Sequence, residues 1–378
     1  MRNKLKRYRL PLLLAAIGPG LIAANADNDA SGIATYSMAG AQFGYSMLCI
    51  LLAITISLAV TQEMGARMGA VTGKGFGDLI REKFGVKWAA VAILVMLVAN
   101  LLNTVAEWAG IAAAMAMFGI KQPYISVPIA AILVGFLVVR FNYRQVQKVF
   151  LISSALFLAY VVSGFMAHPD WGKAAINTLR PHMEYNVPFL VMMIAVIGTT
   201  ITPWGQFFIQ SYVVDKRLRS NDLPYAQADV YVGAFFTNFI AFFIIVACAA
   251  TIFRTTGGQQ ISDAAEAAKA LVPLAGRFAA TLFAFGLINA SLLGAAVLPL
   301  TSAYATCETF GWEAGINKNF KEAPIFFGLF IFIIATSTLF VLIPGANLVQ
   351  IMFYSAVLNG MLLPIILIFV LKLSSDPD

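Results

Sequence analysis

The chain has 378 residues, of which 60% are hydrophobic and 11% charged, with a formal net charge of +7. Soluble globular proteins carry about 25% charged residues, so a mostly water-facing surface is excluded. Apolar runs of roughly 20 residues recur throughout, each able to cross a hydrocarbon layer about 30 Å thick, and they lack the period-two alternation of a β-barrel.

Ten spans are expected, over residues 11–43 (interrupted), 46–68, 87–118, 124–140, 146–167, 187–213 (interrupted), 229–253, 277–307, 324–343 and 347–372. Basic residues cluster in "MRNKLKRYR", in the stretch from Arg67 to Lys87, and in "RFNYRQVQK", "DKRLR" and "NKNFK". These clusters fall between alternate spans, as the positive-inside rule requires. The excess charge therefore marks a cytoplasmic face, not a nucleic-acid partner. The expected protein is a multi-pass monomer in the lipid bilayer of the cell (inner) membrane, with both termini cytoplasmic. Cys49, Cys248 and Cys307 sit in apolar segments without metal-ligand spacing and read as packing residues. His168 and His182 share one outer loop and read as loop residues.

Span one contains "GPGLIAANADNDASGIAT", with Asp27, Asn28 and Asp29 amid apolar sequence. A cleavable signal would need mature-domain composition after "ANA" (Ala24–Ala26), but apolar sequence resumes after Gly32. Residues 11–25 and 33–43 are each too short to cross alone and together make one crossing. Non-helical backbone at membrane depth is tolerated only where it is buried in protein or lines a cavity. The stretch is therefore a broken membrane helix. Carboxylate, freed carbonyls and the negative end of a half-helix dipole all favour a cation there. Asp27 and Asn28 either cap the broken end or stand in an outer shell around the ion.

Further along, Gln62 either reaches this site or makes an interhelical hydrogen bond. Glu63 lies one turn from Arg67, so an i,i+4 ion pair competes with a place on the ion path. Residues 72–86 form an amphipathic segment expected on the cytoplasmic face. They lack P-loop spacing. Glu107 has no local partner and is expected to line the cavity as a second carboxylate. Span six carries a second break, "GTTITPWG" (Gly198–Gly205). Interrupted helices leading two five-span halves point to an inverted repeat with a midplane site. The expected domain is a single transmembrane unit, 1–378, with pseudo-repeat halves 10–167 and 187–372.

These motifs resemble the Nramp family of divalent-metal transporters. Gly18-Pro19-Gly20 stands eleven residues before Asp29, followed by "AGAQFGY" (Ala39–Tyr45), Gln62, "GARMGAVTGK" (Gly65–Lys74), "AEWAG" (Ala106–Gly110) and Pro203. The resemblance is dense over residues 10–120 and 195–215 and implies an all-α, inverted 5+5 (LeuT-like) membrane protein with helices one and six broken. Departures from the family pattern are specific. Gly32 stands where the family has an asparagine ligand, and Thr202 where it has methionine. Trp204 replaces its histidine, Thr104 its helix-three aspartate, and Thr199 the alanine whose carbonyl binds the ion.

Losing the methionine sulfur leaves oxygen ligands, which suit Mg²⁺, Ca²⁺ or Mn²⁺. Gly32 and Thr202 also free volume, and Mg²⁺ usually keeps several waters. The pattern looks like the magnesium-transporting branch of the superfamily. The expected ligands are Asp29, Thr202, Thr199, Asn28, Gly32 and Gln62, with Glu107, Asp27 and Glu63 on the ion path. No cofactor and no enzymatic activity are expected; Mg²⁺, with Mn²⁺ as a second substrate, is the cargo. Trp204 and Thr104 cannot carry protons, so uniport driven by membrane potential is the expected mode. A proton-coupled transition-metal transporter and a sodium-coupled amino-acid symporter of the same fold are the alternatives. A channel and a Mg²⁺-dependent prenyl- or phosphotransferase fit less well, the latter because span six supplies no second acidic cluster.

Overall fold

The computed structural model describes residues 28–140, 154–258, 261–315, 318–345 and 347–376. Among them every regular element is helical. The chain runs through α1 (Ala30–Phe43), α2 (Leu48–Thr72), α3 (Phe76–Phe84), α4 (Val86–Met117) and α5 (Pro123–Arg140). It continues through α6 (Leu158–Met166), α7 (Trp171–Leu179), α8 (Val187–Thr200), α9 (Pro203–Asp215) and α10 (Leu223–Cys248). The last helices are α11 (Ala264–Ala268), α12 (Ala279–Phe310), α13 (Pro324–Val341) and α14 (Leu348–Ser374).

The helices begin and end where local chemistry dictates. Asn186 accepts from the Phe189 N–H at 2.8 Å to start α8, and Asn347 accepts from the Gln350 N–H at 3.1 Å to start α14. Each satisfies a donor that the helix itself leaves orphaned. Proline occupies the first turn of α8, α9, α10 and α13, where its missing N–H costs nothing. At the other end, Gly73 takes a left-handed conformation with φ 66° and terminates α2.

Seven helical segments among the described residues are long and apolar enough to cross a membrane, and Pro123–Val138 is a shorter apolar helix. Where they are described, observed boundaries follow the expected spans within a few residues, except that α2 runs on to Thr72 and α10 begins at Leu223, six residues before the expected start. The first half of span one, Gly18-Pro19-Gly20 and Asp27 lie outside the described residues, as do residues 146–153 of the expected span five. Outward-facing Ile132 on α5, Phe332 on α13 and Ile56 on α2 are exposed apolar side chains of the kind that meet lipid.

The core forms where α4 lies along α12 and α14, α14 also packs on α8, and α10 packs on α1 and α2. α1 is enclosed by α4, α8, α10 and α14, and all of its residues from Ala30 to Ala41 are buried. Small residues permit the tightest crossing: a Cβ on Gly198 of α8 would collide with the Ala356 carbonyl and Gly360 backbone of α14. The expected amphipathic segment is α3, which buries Phe76 and Ile80 beneath an exposed polar face.

Candidate functional site

The start of α1 and the interruption between α8 and α9 both lie within this core. Asn28-Asp29 lead into α1, where the sequence places the break of span one, and Ile201-Thr202 separate α8 from α9. Both have the same local origin. Asp29 is extended and accepts from the Gly32 N–H at 2.6 Å; Thr202 is extended and accepts from the Gly205 N–H at 3.3 Å. Each side chain thus caps the helix that follows the break. At the second break Pro203 adds a further constraint. It has no N–H to offer the Thr199 carbonyl four residues earlier, and its ring would clash with that carbonyl in a continuous helix.

Tertiary contacts bring the breaks together. Tyr36 Oη and Thr200 Oγ1 are hydrogen-bonded at 2.8 Å, tying α1 to the end of α8. Ser31 Oγ donates to the Met352 carbonyl at 2.9 Å. One stretch of α14, from Met352 to Gly360, therefore supports both breaks, touching Ser31 at one and Gly198 at the other.

The strongest feature is a pair of carboxyl groups. Glu107 Oε2 accepts from the Ala30 N–H at 3.3 Å, and the Glu107 carboxyl neighbours that of Asp29. Both side chains are buried. Gly294 of α12 makes the room: a Cβ there would stand 2.5 Å from Glu107 Cδ. Glu107 Oε1 and Thr199 Oγ1 have no hydrogen-bond partner among the described residues. Two like charges at a low-dielectric site repel strongly, so the pair requires a cation or a proton. Asn28, Asp29, Thr199, Thr202 and Glu107 are all buried and all carry side-chain oxygens, and no metal-holding group of three or more His, Cys, Asp or Glu occurs among the described residues. An all-oxygen set of this kind suits hard cations.

The other expected residues fall as follows. Gly32 donates its N–H to Asp29 and adds no side chain. Gln62 is buried on α2. Glu63 lies 3.7 Å from Arg67 and also accepts from Gln227 Nε2 of α10 at 2.9 Å, so it is engaged both within α2 and across to α10. Asp27 is outside the described residues. Trp204 packs with Leu293, Val297 and Leu298, and Thr104 Oγ1 donates to the Asn100 carbonyl at 2.7 Å. His182 stands exposed, 3.5 Å from Glu184.

Sequence reasoning missed the amide network one turn below Glu107. Asn103 Oδ1 accepts from Ser355 Oγ at 2.6 Å and from Asn359 Nδ2 at 2.7 Å, and Asn100 Nδ2 donates to Ser302 Oγ at 2.7 Å. A signal was present: Asn100, Asn103, Thr104 and Glu107 recur at helical spacing on one face of an apolar helix. Away from α3, a cavity of about 570 Å³ lies beside Met38, Gln42, Asn186, Val191 and Phe353.

A family model described as "Nramp: Natural resistance-associated macrophage protein-like" matches residues 20–378. The divalent metal cation transporter MntH of Yersinia pestis is 29% identical over 307 residues, covering 77% of this chain and 71% of its own length. MntH of Granulibacter bethesdensis is 24% identical over 306 residues, covering 78% and 68%. The fold matches a crystal structure of a manganese transporter from Eremococcus coleocola with a TM-score of 0.74, at 17% identity over 95% of this chain and 78% of that one. It also matches Mhp1, a nucleobase-cation-symport-1 family transporter, with a TM-score of 0.62, at 15% identity over 89% and 74%. The fold is thus that of the all-α, LeuT-like inverted-repeat membrane proteins, and the relatives named here are transporters rather than enzymes.

Proposed function

The chain belongs to the Nramp family, and from that premise we propose that it carries divalent metal cations across a membrane, with Mg²⁺ as the main substrate and Mn²⁺ as a second. The observation that supports this reading is the buried Asp29–Glu107 carboxyl pair at the start of α1. Asp29 supplies the principal charge. The Thr199 carbonyl, which Pro203 leaves without an i+4 donor, Thr202 Oγ1 and Asn28 contact the ion directly or through its water. Gly32 gives space, and Gln62 approaches from α2. Thr202 in place of a thioether removes the ligand that would favour softer metals. A roomy oxygen site suits Mg²⁺, which dehydrates reluctantly.

In the orientation favoured by the basic loops, the α3 end of the bundle is cytoplasmic and the cavity beside Gln42 faces outward. Membrane potential then drives uptake without a coupled proton. One charge gains about 2.3 kcal/mol per 100 mV, so a divalent ion gains about 4.6 kcal/mol, enough to support a gradient of about a thousandfold. Trp204 and Thr104 are not titratable and offer no route for a proton.

One observation favours a second reading. Glu107 beside Asp29 is a carboxyl that could take up a proton as the metal leaves, making transport proton-coupled. Mg²⁺ flux into proteoliposomes under an imposed potential, with internal pH recorded, separates the two. Flux that vanishes in Asp29→Ala and leaves pH constant supports uniport. Flux accompanied by acidification selects the coupled mode, and absence of divalent flux in the wild type removes the transport reading.

A further inference from the structure

Below the break, α9 carries polar residues at a spacing of one helical turn: Thr202, Gln206 and Gln210 recur at i, i+4 and i+8 and so share a face. All three are buried. Gln210 is at the α3 end, where its Nε2 donates to the Lys74 carbonyl at 2.9 Å. Gln206 lies between the site and that anchor. It is 1% exposed, and neither its Oε1 nor its Nε2 has a hydrogen-bond partner among the described residues.

A packing role does not account for it. The neighbouring faces of α9 are filled by apolar contacts: Trp204 against Leu293 and Val297, Phe207 against Phe76, and Ile209 against the Gly65 position of α2. Leucine or methionine would fill the Gln206 position without burying two unmet polar atoms, and buried polar atoms are almost always paired. A carboxamide offers an oxygen to a cation and an N–H to a water or carbonyl. Both suit a partly hydrated divalent ion.

We infer that Gln206 forms a second contact point for the translocated cation, on the α3 side of the Asp29 site, receiving the ion and its remaining water as it leaves Thr202. The inference rests on the transport reading above. The ion passes from a charged site to a neutral one, so the second contact holds it weakly and lets it go.

The test compares wild type, Gln206→Met, Gln206→Leu and Gln206→Glu in proteoliposomes, with Mg²⁺ and Mn²⁺ as separate probes and with Mn²⁺ affinity measured calorimetrically on the same preparations. Gln206→Met keeps the volume, so it serves if Gln206→Leu misfolds. The expected result is Mn²⁺ affinity within about twofold of wild type, because Asp29 is intact, with Mg²⁺ flux reduced about tenfold and Mn²⁺ flux reduced less. The asymmetry follows from the stronger hold of Mg²⁺ on its water; a residue that only supports α9 would slow both ions alike. Gln206→Glu is expected to slow release by binding the ion too tightly. Wild-type rates and an unchanged Mg²⁺/Mn²⁺ ratio in Gln206→Met would overturn the inference while leaving the transport reading in place. A wild type that moves neither ion removes both.

Discussion

Glu107, 77 residues from Ala30 in sequence, accepts the Ala30 N–H at 3.3 Å and so sets its carboxyl beside that of Asp29. The contact joins α4 to the first turn of α1, where the Ala30 N–H has no partner within the helix. It also makes the site dianionic when both groups are ionised, a state that a divalent cation neutralises.

Removing either charge is therefore expected to weaken binding. Glu107→Gln retains an acceptor for the Ala30 N–H and is expected to lower Mn²⁺ affinity by about ten- to a hundredfold, the range for loss of a charged partner. Asp29→Asn is expected to abolish measurable binding. Calorimetric titration of the purified variants decides; an unchanged affinity in Glu107→Gln would place the carboxylate outside the ion's reach.

Selectivity is expected to follow the ligand at Thr202. Thr202→Met introduces a thioether, so Cd²⁺ and Mn²⁺ should compete more strongly while Mg²⁺ flux falls. Competition uptake in proteoliposomes reads both changes at once. Equal losses for all three ions would show that the methionine only fills space.

Gly198→Ala tests the α8–α14 crossing. The added Cβ would meet the Ala356 carbonyl and the Gly360 backbone, and overpacking of this kind costs about 1–3 kcal/mol. A lowered midpoint in a detergent thermal-shift assay is expected, together with reduced flux. A wild-type midpoint would mean that the two helices separate without cost.

Asp170, an exposed residue, caps α7 by accepting from the Lys173 N–H at 2.9 Å, and that bond holds its carboxyl below the usual 3.8. A depressed value stabilises the ionised form, so the contribution is complete above the unfolded value and fades as pH falls through the folded one. Asp170→Ala should fray α7, seen as faster amide exchange over Trp171–Leu179, with transport between pH 5 and pH 8 unaffected. Slowed transport at neutral pH would give the segment between α6 and α8 a part in the cycle.

Local sequence determined the helices, their breaks and the chemistry at each break. Apolar length fixes a span because the bilayer thickness does. Pro203 interrupts span six because it lacks an N–H, and Asp29 and Thr202 cap α1 and α9 because their oxygens reach donors three residues ahead. Those facts depend on neighbours a few residues away, and the absence of a thioether or imidazole at the second break was equally plain. Which faces meet was decided only by packing. Ser31 finds the Met352 carbonyl 321 residues away, and Glu107 finds its place because Gly294 lacks a Cβ. Helical period places Asn103 on the face of Glu107 and Gln206 and Gln210 on that of Thr202, a signal the sequence reading passed over. It could not show that Asn103 meets Ser355 and Asn359 while Gln206 meets no described partner, since that depends on the crossing of helices distant in the chain.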